Sequence, residues 1–178
     1  KASAAQTAAN GAKSAADAAQ SAANNAKSTA DAAQSTANTA KSNAQTANNL
    51  LTDIANDNKL TAQEKQQTKK EWDIIVSEKP KNDASADKYS ISKTAYTTAY
   101  NTLNSYITPL LASLTATSNI TGSDFRAKFK AYYDARTDLL NAISAKAKTL
   151  ADAAQTAANN AQSAANNANN AITSIRTE

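Results

Sequence analysis

Hydrophobic and polar positions repeat every seven residues at both ends of the chain. Read in sevens from Ala12, the first part runs AKSAADA, AQSAANN, AKSTADA, AQSTANT, AKSNAQT, ANNLLTD; from Ala147 the end runs AKTLADA, AQTAANN, AQSAANN, ANNAITS. The shared pattern is A-[KQ]-S-x-A-[DN]-x, and Lys alternating with Gln at its second place adds a fourteen-residue echo. Small apolar residues at the first and fifth places draw one continuous stripe along a helix. It runs through Ala12, Ala16, Ala19 and Ala23 to Ala47, and again from Ala147 and Ala151 to Ala168. The fourth place (Ala15, Ala22, Thr29, Thr36, Leu50) is expected to widen the stripe toward the broad face of a bundle helix. A strict period of seven implies left-handed supercoiling against neighbours.

Between the repeats the pattern changes. Every aromatic residue lies between Trp72 and Tyr133. Leu50, Leu51 and Ile54 strengthen the last turns of a first helix expected to end near Asn56–Lys59, where Asp57 and Asn58 tolerate left-handed backbone. Thr61-Ala62-Gln63-Glu64 is a capping box, so a second helix is expected from there to Lys79, before Pro80, with Trp72, Ile75 and Val76 on one face. Residues 81–88 read as a polar loop. A third helix is expected from Ser90 with Tyr96, Leu103, Tyr106, Ile107, Leu110 and Leu114 at helical spacing, kinked or restarted at Pro109. After a loop around Gly122, a final helix from Asp124 carries Phe125, Phe129, Tyr132, Leu139, Leu140 and Ile143 without a break into the terminal repeat.

The expected fold is all-α: a helical bundle with long Ala-rich heptad coiled-coil arms formed by the N- and C-terminal helices, a knob on a two-helix stalk. The expected division is 1–56 (arm), 57–146 (bundle) and 147–178 (arm). At 1.5 Å per residue the longer arm would span roughly 70 Å. Some fifty residues precede the bundle and some thirty follow it. The surplus of the first arm then needs a partner, because isolated helices are marginal in water. That favours a homo-oligomer, a trimer before other states, although Ala seams do not fix strand number.

Composition narrows the function. Of 178 residues about a quarter are Ala, with two Gly, two Pro and no Cys, Met or His. Lacking Cys and His, the chain has no disulfide scaffold, no Cys- or His-ligated metal and none of the usual general base. No apolar run is long enough to cross a membrane, and none reads as a signal peptide. A chain beginning with Lys1 and lacking Met reads as a segment of a longer polypeptide.

Four groups of residues invite a chemical reading. Asp53, Asp57 and Glu64 stand at first, fifth and twelfth places of a calcium-loop spacing, but Ala55 and Asn58 occupy its third and glycine places, so a helix end before a capping box is the better account. Trp72, Tyr89, Tyr96, Tyr100, Tyr106, Tyr132 and Tyr133 would suit a glycan-stacking platform, yet their helical spacing fits bundle core better; Tyr89 and Tyr133 are expected to be the exposed ones. Lys65, Lys69, Lys70, Arg126, Lys128, Lys130 and Arg136 account for much of the net charge of +4. They alternate with Glu64, Glu71, Asp73, Asp124 and Asp134, giving a solvated helix surface and no nucleic-acid stripe. Asp134 and Asp138 lie one turn apart on one helix, where paired-carboxylate catalysis would need them to face each other. No catalytic, metal or cofactor residue is assigned.

The stretches DNKLTAQEKQQTKKEWDIIVSEKP, AYNTLNSYITPLL and ITGSDFRAKFKAYYDARTDLLNAI resemble a helical module of phage and prophage tail proteins, the long fibre, tail-tip or baseplate host-specificity chains of siphophages. The likeness covers about residues 57–148 and includes the words EKxxxKxEW and FRxKFxxYYDxR. It implies a structural role in the virion tail, outside the cell, usually as a trimer. Neighbouring tail proteins would be partners, and a host surface component would be reached through other domains. It supplies no catalytic residue. The expected function is a spacer segment of a tail fibre or tail-associated host-recognition protein. A bacterial surface adhesin whose bundle binds a glycan or protein is the alternative, and an ice-binding or stress-protective Ala-rich helix a more distant one.

Overall fold

The computed structural model describes the backbone of residues 2–177 and the side chains of residues 3–174. Four helices carry the fold: α1 (Ala2–Thr52), α2 (Ala62–Lys88), α3 (Thr94–Leu111) and α4 (Gly122–Thr177). Two short strands, β1 (Lys59–Leu60) and β2 (Ser118–Asn119), pair antiparallel with Lys59 opposite Asn119 and Leu60 opposite Ser118. The protein is an all-α helical bundle.

Packing divides the chain into two units, one built from the chain up to Ala33 and from Ala145 onward, the other from residues 34–144. The expected boundaries at 56 and 147 separate residues by type, whereas packing assigns the last nineteen residues of α1 to the second unit. Ala37, Ala40, Ala44 and Ala47 share one buried cluster with Trp72, Tyr96, Phe129 and Tyr132. The surplus length expected of the first arm is thereby consumed, and the two pieces of the first unit are nearly equal in length.

In the first unit the fifth-place residues Ala9, Ala16, Ala23 and Ala30 of α1 are buried, as are Ala151, Ala158, Ala165 and Ile172 of α4. The first places, Ala12, Ala19, Ala26, Ala154 and Ala161, are half-buried. Gln155 reaches Gln20 at 3.5 Å, and Ala9 and Lys13 face Gln162 and Asn169 across a cleft, so the pieces run in opposite directions. The expected widening does not occur. Ala15, Ala22, Ala157 and Ala164, all at the fourth place, are exposed, because two helices alone bury only the edge between them.

The outer face explains the longer echo. From Lys13 to Gln34 each second-place residue bonds the sixth-place residue one turn on, charged with charged and amide with amide: Lys13 to Asp17, Gln20 to Asn24, Lys27 to Asp31 and Gln34 to Asn38. In α4, Lys148–Asp152, Gln155–Asn159 and Gln162–Asn166 follow the same rule. Each exposed pair adds a few tenths of a kcal/mol, and together they satisfy the polar face within each helix.

The second unit departs from expectation at its prolines. α2 continues through Pro80 to Lys88, so residues 81–88 are helix and not loop. Pro80 lies at an exposed position, and beyond it Asn82 and Ala86 are buried, which gives the extra turns a tertiary reason to form. α3 starts at Thr94 and holds Pro109 in its last turn, with no restart. Of the face assigned to α2, Trp72 and Ile75 are buried but Val76 is 43% exposed.

Candidate functional site

Three arrangements in the second unit bring functional side chains together. The first is the junction where α1 turns into α2. Thr61 caps α2, its hydroxyl accepting the Glu64 N–H while the Glu64 carboxylate accepts the Thr61 N–H at 2.8 Å, the reciprocal box expected from sequence. The other Glu64 oxygen accepts the Ala55 N–H at 3.0 Å. Partial burial pushes the Glu64 carboxyl upward, but the N–H groups of Thr61 and Ala55 and the Thr61 hydroxyl outweigh it, holding the group below its usual range.

Ala55 and Asn58 adopt left-handed backbone, with φ of 56° and 62°. Asn58 was expected there; Ala55 was not. Its conformation is imposed by its surroundings: Glu64 holds its N–H, Arg126 Nη1 donates to the Ile54 carbonyl at 3.1 Å, and Ala55 itself is fully buried. Gly122 closes the junction, its N–H donating to Asn58 Oδ1 at 3.0 Å. A Cβ on Gly122 would stand 2.1 Å from the Ala55 carbonyl oxygen, so α4 must start with glycine here. Asp57 accepts the Lys59 N–H, and Glu64 is committed to backbone donors on both oxygens. Of the residues with calcium-loop spacing, Asp57 and Glu64 are thus engaged with backbone N–H groups, and no group of three acidic residues able to hold a metal ion exists among the described residues.

The second arrangement is a buried polar network inside the aromatic core. Arg136 lies 3% exposed, contrary to the expected solvated position. Its Nη1 donates to both Glu78 oxygens at 2.7 and 2.9 Å, and its Nη2 donates to the Ala40 carbonyl at 2.8 Å. The guanidinium also lies 4.9 Å from the centroid of the Tyr133 ring. Tyr132 Oη donates to Glu78 at 2.7 Å and meets Tyr96 Oη at 3.1 Å, which in turn accepts from Asn82 Nδ2 at 3.1 Å. One arginine thereby ties α1, α2 and α4 together. Tyr133, expected to be exposed, is buried and donates to Glu71; Tyr89 is half-buried. Burial, reinforced by the neighbouring carboxylates, pushes the Tyr132 and Tyr133 hydroxyls well above the usual tyrosine range. They therefore stay protonated and serve as donors. Lys65 is buried too, its ammonium bonded to the Ser113 carbonyl at 2.9 Å just beyond the C-terminus of α3, where the helix dipole favours a cation.

The aromatic residues pack as core. Trp72 stacks on Tyr100 at 5.5 Å, and Phe125 packs against Phe129 at 5.0 Å. Asp134 and Asp138 are both exposed, and Asp134 pairs with Lys130 on its own helix. Sequence reasoning missed Arg136 and Lys65 as core residues. The one available signal was their helical spacing: Arg136 follows Phe129 by seven residues and Tyr132 by four.

The third arrangement is an apolar groove of about 270 Å³ between the end of α1 and the start of α2. Ala47, Leu50, Leu51 and Ile54 line one wall and Gln67, Lys70 and Glu71 the other. Leu51 is 3% exposed, whereas Leu50, at the fourth place of its heptad, is 67% exposed.

The chain is 40% identical over 107 residues, 60% of its length, to a tail fiber protein of Enterococcus phage phiEF24C. It spans 6% of the length of that curated relative. No protein-family model and no solved structure matches the chain.

Proposed function

We propose that this chain is a structural, non-enzymatic segment of a phage tail fibre or tail-associated host-recognition protein, carried on the virion tail. The observation that carries the reading is the 40% identity to a phage tail fiber protein, which extends over more than half of the chain. The paired Ala helices act as a spacer and the aromatic bundle as an assembly node, with receptor binding left to other parts of the longer protein. The packing is consistent with this division. Tyr96, Tyr132 and Tyr133 are spent on the core instead of forming an open stacking surface. Chains associate with one another, as a trimer, and with neighbouring tail proteins. The exposed apolar residues of the fourth place, Leu50 foremost with Ala15 and Ala22, support this, since the chain's own packing leaves them uncovered.

Antibodies raised against residues 34–144 and visualised by electron microscopy test the role. Label along the tail appendages of virions is the expected result. Label on uninfected bacterial cells, together with a positive glycan array for the isolated chain, would overturn it in favour of a surface adhesin.

A further inference from the structure

We infer that the groove between α1 and α2 is the surface through which one copy of this chain meets the next, with Leu50 as its anchor. The inference rests on the oligomeric reading above and names its contact.

Leu50 and Leu51 are chemically identical neighbours, yet only Leu51 is covered by the fold. Leu50 stands on the rim of a groove whose floor includes the buried side chains of Leu51 and Ile54. On α2, Ile74 lies one turn beyond Lys70 and Glu71 and is 53% exposed, so an apolar side chain flanks the groove on each wall. Two large aliphatic side chains left in water beside an apolar groove stand to gain stability from whatever covers them.

Charge identifies the occupant. Lys70, on the α2 wall, makes no ion pair among the described residues, although Lys69 beside it pairs with Asp73. Asp53, one turn beyond Leu50 and just past the end of α1, has no ion-pair partner among the described residues either. It borders an adjoining cleft that shares Gln67 with the groove. An unpaired cation on one margin and an unpaired anion on the other make the surface complementary to a second copy of itself. The contact is head-to-tail, Lys70 of one copy meeting Asp53 of the next, and repetition of such a contact about an axis closes a ring. Leu50 fills the neighbour's groove, while the charges set direction and partner choice more than strength.

The test is the solution mass of the full chain by light scattering across a concentration series. The wild-type chain is expected at a multiple of 18.5 kDa, three-fold for the trimer. Leu50→Glu is expected to return it to 18.5 kDa with helicity and melting of the single chain unchanged, because that side chain is already mostly in water. Lys70→Glu is expected to raise the concentration for half-association about five-fold, the loss of one exposed ion pair at each contact of the ring, and the reversal Asp53→Lys on top of it to restore association. A wild-type chain of single mass at every concentration overturns the oligomeric reading itself. A wild-type oligomer that survives both Leu50→Glu and Lys70→Glu overturns this contact while leaving that reading in place.

Discussion

The two units solve the same packing problem with opposite materials. In the first, helices meet through a seam of methyl groups: Ala16 and Ala23 on α1, Ala158 and Ala165 on α4. Each buried methyl contributes about 0.8 kcal/mol, so no single residue dominates and none specifies its opposite number. In the second, Tyr132, Phe129, Arg136 and Glu78 each have named partners at fixed distances. The alanine seam gives helices that approach closely at little energetic cost per residue and little specificity. The aromatic and polar core gives one arrangement, and it fixes residues as ordinary as Ala40 by bonding their backbone.

Arg136→Met should expose this contrast most strongly. It removes the cation from Glu78, which keeps only Tyr132 as a donor, and it frees the Ala40 carbonyl from its side-chain partner. Breaking a buried pair from one side typically costs about 3–5 kcal/mol. Chemical denaturation of the variant should show a loss of that size. A loss under about 1 kcal/mol, the range of an exposed ion pair, would mean that the network is not what holds the three helices.

Gly122→Ala comes next. The added methyl would meet the Ala55 carbonyl oxygen at 2.1 Å; that carbonyl accepts the Asn58 N–H at 3.1 Å, and the peptide before it is held by Glu64 at the Ala55 N–H and by Arg126 at the Ile54 carbonyl. Overpacking of this kind costs about 1–3 kcal/mol. The loss should appear as a lower melting temperature with unchanged far-ultraviolet helicity. Ala55→Gly is its opposite, relieving a left-handed alanine, and should be neutral or stabilising. Failure of Gly122→Ala to lower the melting temperature would mean that the junction yields freely.

How far the fold was legible depended on how local its causes are. The heptad, the capping box at Thr61–Glu64 and the unbroken final helix are written in spacings of three, four and seven, and all three were readable. Pro80 misled because its penalty is local while the reasons for continuing the helix, Asn82 bonding Tyr96 and Ala86 in the core, come from residues far along the chain. Arg136 and Tyr133 misled for the same reason. A charge or hydroxyl reads as surface until Glu78 and Glu71, on another helix, are known to face it. The reach of the bundle into α1 was hidden because Ala40 and Ala44 look the same as Ala19 and Ala23 in a repeat. Only their neighbours differ. Leu50 was assigned to the stripe by its place in the repeat, and the structure leaves that place open.

The smallest effect sharpens the comparison from the side of the seam. Ala22 and Ala23 are adjacent on α1, the first exposed and the second buried. Replacing either by Gly lowers helix propensity by the same amount, about 1 kcal/mol, so that contribution cancels between the two variants. What remains is the buried methyl of Ala23, worth about 0.8 kcal/mol, together with a small void in the seam. Ala23→Gly should therefore be less stable than Ala22→Gly by about 1 kcal/mol, read from protection of arm amides in hydrogen exchange. Equal protection in the two variants would mean that the alanine face is held by helix propensity alone. A larger loss from Ala22→Gly would place a partner on the fourth-place stripe, and the arms would then owe part of their stability to a neighbouring chain.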